Sequence, residues 1–165
     1  MSAQTRYGFS AIAGAAGGIV DLAPYAIDSR INSEESGVMK FGIGVVQGSN
    51  PGHNVAVPAA GATAATFEGI TVNNRTTEFD LEGKMNVRGG AAIGIMRYGR
   101  IYARIVEDVE PAYGDALYLV ISGDNAGCFT NASGDNTIAV KGRFMSGKCA
   151  GTNVAQVELF NQAQA

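Results

Sequence analysis

Residues 91–109 read AAIGIMRYGRIYARIVEDV, and the period of that stretch decides the fold. Ile101, Ala103 and Ile105 fall on one side of an extended chain, and Tyr102, Arg104 and Val106 on the other. Successive side chains of a strand point to opposite faces, whereas a helix repeats its apolar positions every three to four residues. The period here is two. Gly99 tolerates positive φ, so strand, tight turn at Tyr98–Gly99, strand is the expected order, a β-hairpin. In that hairpin Ile101, Ala103 and Ile105 face the core. Tyr102 and Arg104 face outward, and Arg97 and Arg100 sit at the turn end.

The same period extends outward from the hairpin. Upstream, Phe41, Ile43 and Val45 alternate with Lys40, Gly42 and Gly44, and further strands are read at NVAV and near Ala65–Val72. Downstream they are read at Ala116–Ser122, Thr137–Met145 and VAQVELFN. GSNPGHN, NASGDN and paired asparagines punctuate them as turns. Seven to nine short strands with no long amphipathic helix predict an all-β fold: a single antiparallel β-barrel or a jelly-roll-like sandwich. Residues 1–37 are glycine-rich and poor in bulky apolar side chains, with room for a helical turn or two over Ala11–Ile19. They are read as an extended arm lying along the domain or along a neighbouring subunit, with 38–165 as the β-domain.

Composition narrows the function. The chain has 165 residues, 23 of them glycine, and a net charge of −3, so attraction of the whole protein to DNA or to an anionic membrane is not expected. GFSAIAGAAGGIV is too short and glycine-broken for a membrane span and does not read as a secretion signal. The single histidine, His53, lies in a loop with no GxSxG elbow elsewhere, so a hydrolase triad lacks its base constellation. Glu78, Asp80 and Glu82 share a strand face, which reads more simply as a solvated face than as a glycosidase pair. No His/Cys cluster points to a transition metal, and the GDN triplets read as turns rather than calcium ligands. No catalytic residue, cofactor or metal is therefore expected. Cys128 and Cys149 have no zinc-like neighbours, and nothing forces them to pair.

Charge is segregated along the chain. Lys84, Arg88, Arg97, Arg100 and Arg104 fall between residues 83 and 106 with no acid among them, and Glu107, Asp108, Glu110, Asp115 and Asp124 follow with no base. A solvated strand face with internal ion pairs and a protein interface both accommodate this pattern, since arginine and tyrosine are enriched in interfaces. A nucleic-acid surface fits less well, because RNP patterns are missing and acids adjoin the bases.

The segment PYAIDSRINSEESGVMKFGIGVVQG resembles the N-terminal region of the structural cement or decoration proteins of tailed-bacteriophage heads. The resemblance rests on Ile27, Ser29 and Arg30, then on Val38, Phe41, Gly42 and Val45. It continues at IGIMRYGRIYARI, through Ile95, Arg97, Gly99, Arg100, Ile101 and Ala103, and in the later strands. It implies a non-enzymatic protein on the outer surface of an icosahedral capsid, assembled in the host cytoplasm and clamping capsomer boundaries. The implied partners are the major capsid protein and further copies of the chain, as a dimer or trimer, with no direct nucleic-acid or membrane contact. The contact candidates are Ile27, Ser29, Arg30, Arg97, Tyr98, Arg100, Tyr102 and Arg104. Two other readings are a carbohydrate- or receptor-binding virion module, using the loops at 47–54 and 123–136, and a small β-barrel hydrolase.

Overall fold

The computed structural model describes residues 14–73, 77–79, 83 and 85–161. Its organising element is strand β7 (Ala92–Arg104), which runs unbroken for 13 residues. The expected hairpin is corrected by this: Gly99 has φ 121°, but the chain goes on rather than back. The reason lies in what flanks β7. Its first half pairs with β1 (Ala26–Asn32) and β4 (Phe67–Thr71), and from Gly99 onward it pairs with β11 (Val154–Leu159). The glycine sits where the strand changes partners. An L side chain rarely adopts that φ, and a Cβ at position 99 would lie 2.6 Å from the Tyr25 Cβ.

The partner change builds two rows of strands on one shared strand. β1, β3 (Asn54–Ala56), β2 (Gly44–Gln47), β4 and β7 are paired in that order, and β1 also pairs with β7, so five strands close into a ring. Pairing within the ring is antiparallel except between β1 and β3. On the other side of β7 the sheet continues through β11, β10 (Thr137–Phe144), β8 (Ala116–Val120) and β9 (Phe129–Thr130). This row curls back on β7. Ile105 forms a parallel bridge with Phe129, and the Val106 N–H donates to the Phe129 carbonyl. Strands β5 (Thr77–Phe79) and β6 (Met85–Val87) form a separate two-stranded sheet. The all-β class expected from the alternation is present. The expected barrel is present in the closed ring, and a second row of strands extends from the shared β7.

Each row has its own apolar core. Val45, Val55, Ile93 and Ile95 pack with Met39, Ile43 and Val87 inside the ring. Ile101, Ala103, Ile105, Leu117, Leu119, Phe129, Phe144, Val157 and Leu159 fill the second row. Strand β7 thus supplies Ile93 and Ile95 to one core and Met96, Ile101 and Ala103 to the other. Burying a side chain of this kind stabilises by about 1.5–3 kcal/mol. Close strand approach needs Gly69 in β4, at φ 148°, because the Met96 carbonyl occupies the place a side chain would take.

The division expected at residue 37 does not separate an arm from a domain in the described chain. Residues 26–32 are β1 of the ring, because Asp28 and Arg30 pair with Ile95 and Ile93 of β7 and continue its alternation. Further upstream the chain lies along the second half of β7. The Gly17 N–H donates to the Tyr102 carbonyl (2.7 Å), the Tyr102 N–H to the Gly18 carbonyl (2.9 Å) and the Val20 N–H to the Arg100 carbonyl (3.1 Å). In place of helical turns, residues 14–19 contain one tight turn, closed by the Gly18 N–H on the Ala15 carbonyl. Cys128 and Cys149 are both free thiols.

Candidate functional site

Residues on paired strands that lie directly opposite share a face. Arg100 in β7 lies opposite Glu158 in β11, and Glu158 lies opposite Arg143 in β10. The register therefore lines up a base, an acid and a base across three strands. The Arg100 Nε donates to Glu158 Oε1 at 3.0 Å, and an Arg143 terminal nitrogen lies 2.7 Å from Glu158 Oε2. Asp21, in the chain before β1, closes the row, with its Oδ2 2.7 Å from Arg100. The Arg143 guanidinium lies over the rings of Tyr113 and Phe160, 5.5 and 5.8 Å from their centroids.

A second network ties the ring together. Arg97 Nε lies 3.3 Å from Asp28 Oδ2, and Arg30 reaches the same oxygen at 3.3 Å and Glu68 at 3.7 Å. Thus Arg97, Arg100 and Arg30 are all engaged within the chain. The acidic run after residue 106 does not supply their partners: Asp115 accepts from the Ala112 N–H and from Asn131, and Glu110 faces Lys148. Arg104 donates to the Phe41 carbonyl at 2.9 Å, and Tyr102 lies against residues 14–18 with its hydroxyl accepting from Gln156. Both are half-buried rather than free on an outer face. Ile27 and Ser29 are exposed on β1, and Tyr98 is exposed at the end of the β1 pairing.

Some of the exposed aromatic side chains lie beside the first network, Tyr113 and Phe160 at Arg143 and Tyr25 against Gly99. Leu22 is 96% exposed, Tyr113 65%, Tyr25 47% and Phe160 44%. A shallow depression of about 160 Å³ is lined by Ala23, Pro24, Tyr98, Gly99, Arg100, Glu158, Leu159 and Phe160. Its charges are neutralised internally, so what it offers a partner is aromatic and apolar surface with a fixed hydrogen-bonding floor. That composition suits protein contact. Of the sequence candidates, Tyr98 and Arg100 come together here, whereas Arg30 and Arg97 belong to the second network. Asp21, Glu158, Arg143, Leu22 and Phe160 carry no local signal in the sequence: strand register brings Glu158 and Arg143 together, and the segments flanking the strands bring in Asp21, Leu22 and Phe160.

The other sequence candidates are not assembled. His53 is exposed in a turn, and among the described residues no carboxylate or hydroxyl hydrogen-bonds its imidazole. Asp80 and Glu82 lie outside the described residues, as does the Glu78 side chain. Among the described residues no three His, Cys, Asp or Glu side chains are placed to hold a metal.

Both carboxylates of the first network are held below the ordinary carboxylate range. The Arg100 hydrogen bond, with that from the Ala23 N–H, holds Asp21 below the usual range. Burial pushes Glu158 up, but the hydrogen bonds from Arg100 and Arg143 outweigh it and the net direction is down. A group depressed in the folded state contributes stability that is complete above its unfolded pKa of about 4 and is lost as pH falls through the folded value. The denaturation midpoint is expected to fall as pH drops below about 4. The variant Glu158→Gln should flatten that limb, as measured by urea unfolding at stepped pH. An unchanged slope means the row adds no pH-dependent stability.

Comparison with known proteins follows the same direction. The family described as "Structural cement protein (E217 gp24/Pam3 gp6)" matches residues 3–160. No curated protein matches. Among solved structures, the fold is similar to a chain in "The capsid of Myoviridae Phage XM1", with a TM-score of 0.70 at 20% identity. The likeness covers 96% of this chain and 98% of that one.

Proposed function

The chain belongs to the structural cement protein family of phage capsids, and on that premise we propose that it binds the outer surface of the head and stabilises contacts between capsomers. The observation that supports this is the exposed set of Leu22, Tyr25, Tyr98, Phe160 and Tyr113 around an internally neutralised ion-pair row. A surface of that kind buries apolar area on contact without leaving an unpaired charge, which is the costly outcome at an interface. The partners are the major capsid protein and further copies of the chain. Exposed Ile27 and Ser29 on β1 extend the contact surface. Many equivalent copies on a lattice multiply a modest affinity.

The test is reconstitution. Purified protein added to undecorated heads should co-sediment with them and raise the temperature at which they rupture. Tyr98→Asp combined with Phe160→Asp should weaken head binding at least about tenfold, corresponding to about 1.4 kcal/mol, with unchanged thermal unfolding of the free protein. Full binding by that variant would remove this patch from the contact.

A further inference from the structure

A second depression, of about 290 Å³, opens between the two rows. Ile43 and Val57 come to it from the ring, Ile105 and Cys128 from the second row, and Val38, which also lines it, is 48% exposed. Arg104 and Lys40 are its bases. Arg30, Arg97, Arg100 and Arg143 each meet a carboxylate within the chain. Arg104 does not. Among the described residues its guanidinium has one partner, the Phe41 carbonyl on Nε, and the Lys40 ammonium has none. The terminal nitrogens of a guanidinium form a planar fork that matches a carboxylate. In Arg104 that fork is half-buried, lies in a depression and has no acceptor among the described residues.

We propose that this depression receives an acidic side chain of a partner protein, an Asp or Glu whose carboxylate takes the Arg104 fork and whose aliphatic neighbour covers Val38 and Val57. The class of occupant follows from the lining. An arginine fork suits carboxylate and phosphate alike. Glu107 and Asp124, both exposed, line the same depression and balance its two bases. A ligand with several negative charges, such as a phosphate or a nucleic-acid backbone, is therefore repelled as much as attracted, whereas a single charge seated at Arg104 is not. The volume falls just short of small-molecule sites, which run from about 300 to 1,000 Å³, and suits a side chain with its neighbour. The partner's identity rests on the head-surface reading, under which the carboxylate belongs to the major capsid protein. The contact is separate from the depression at Tyr98 and Phe160, with which it shares no lining residue.

Cys128, in the wall, reports the charge preference without heads. Burial pushes its thiol up, and Arg104 and Lys40 pull against that. In a full-length Cys149→Ser chain the Cys128 thiolate displaces iodide from iodoacetate or iodoacetamide, forming an S–C bond as the C–I bond breaks. The reagents differ in the carboxylate, so the ratio of their rates cancels the thiol's own acidity. That ratio is expected to exceed the ratio for mercaptoethanol in the same buffer at least about tenfold, and to fall toward it in Arg104→Gln and, by a smaller step, in Lys40→Gln. The Lys40 side chain has no partner among the described residues, so its variant gives the readout even where the Arg104 variant does not fold. A ratio equal to that of mercaptoethanol, or indifferent to both substitutions, overturns the pocket. Undecorated heads then test the partner. Both substitutions should weaken head binding, Arg104→Gln at least about tenfold, at unchanged melting temperature. Binding equal to that of the unmodified chain overturns the capsid carboxylate. Failure of the unmodified chain to bind heads removes the head-surface reading, and the reagent ratio still decides the pocket.

Discussion

Replacing Phe129 by alanine is expected to destabilise the protein by about 3–5 kcal/mol, the range for a fully buried aromatic truncated in a core that cannot collapse. Phe129 has no exposed surface and packs in the core of the second row. It also sits where that row returns to β7, through its bridge with Ile105 and its carbonyl's bond from Val106. Phe129→Leu keeps most of the volume and should cost about 1.5 kcal/mol or less. Urea or guanidinium unfolding measures both. Since small domains hold only about 5–15 kcal/mol in total, the alanine variant should be near the edge of folding at body temperature. Equal midpoints for the two variants would falsify the claim that this side chain closes the second row.

Gly99→Val is the second large effect. The new side chain meets the Tyr25 Cβ and would have to hold a φ of 121°. Strain in such a backbone region costs about 1–3 kcal/mol, and overpacking about as much again. A loss of about 2–5 kcal/mol is expected, with lowered cooperativity if the two rows come apart at this point. Gly94→Ala serves as the comparison. It lies in the same strand, has no positive φ, and its added Cβ would meet only the Ile27 Cγ2, at 3.2 Å, among tight contacts. A Gly99 variant no less stable than that comparison shows that the change of partners in β7 does not depend on glycine.

The strand at 116–120 is legible because it alternates, and those at 137–144 and 154–159 because apolar runs are bounded by glycine- and asparagine-rich segments. Gly99 is legible as a special backbone position, but its use is not. A positive-φ glycine between two alternating runs signals a tight turn when only neighbours are considered. Whether the chain reverses or changes partners depends on β1, β4 and β11, which lie far away in sequence. The arginines were visible as a basic cluster, yet their acids were not. Glu158 is 58 residues from Arg100, and Asp21 is 79 away. The apparent segregation of charge along the chain disappears once the strands are paired. Composition registers the small residues before Asp21 but not the pairing with distant β7 and β3 that makes β1.

Sharing β7 also has a mechanical consequence. The strand is 13 residues long, roughly 43 Å when extended at about 3.3 Å per residue. A pull along its length acts in shear, so the hydrogen bonds to β1, β4 and β11 resist together rather than opening one after another. A pull at right angles would unzip them singly and yield at lower force. Single-molecule stretching through handles at Arg104 of β7 and Leu159 of β11, at opposite ends of the paired strands, compared with handles at the directly opposed Arg104 and Val154, should show that anisotropy. A shell under internal pressure would gain most from copies whose shared strand lies along the direction of tension.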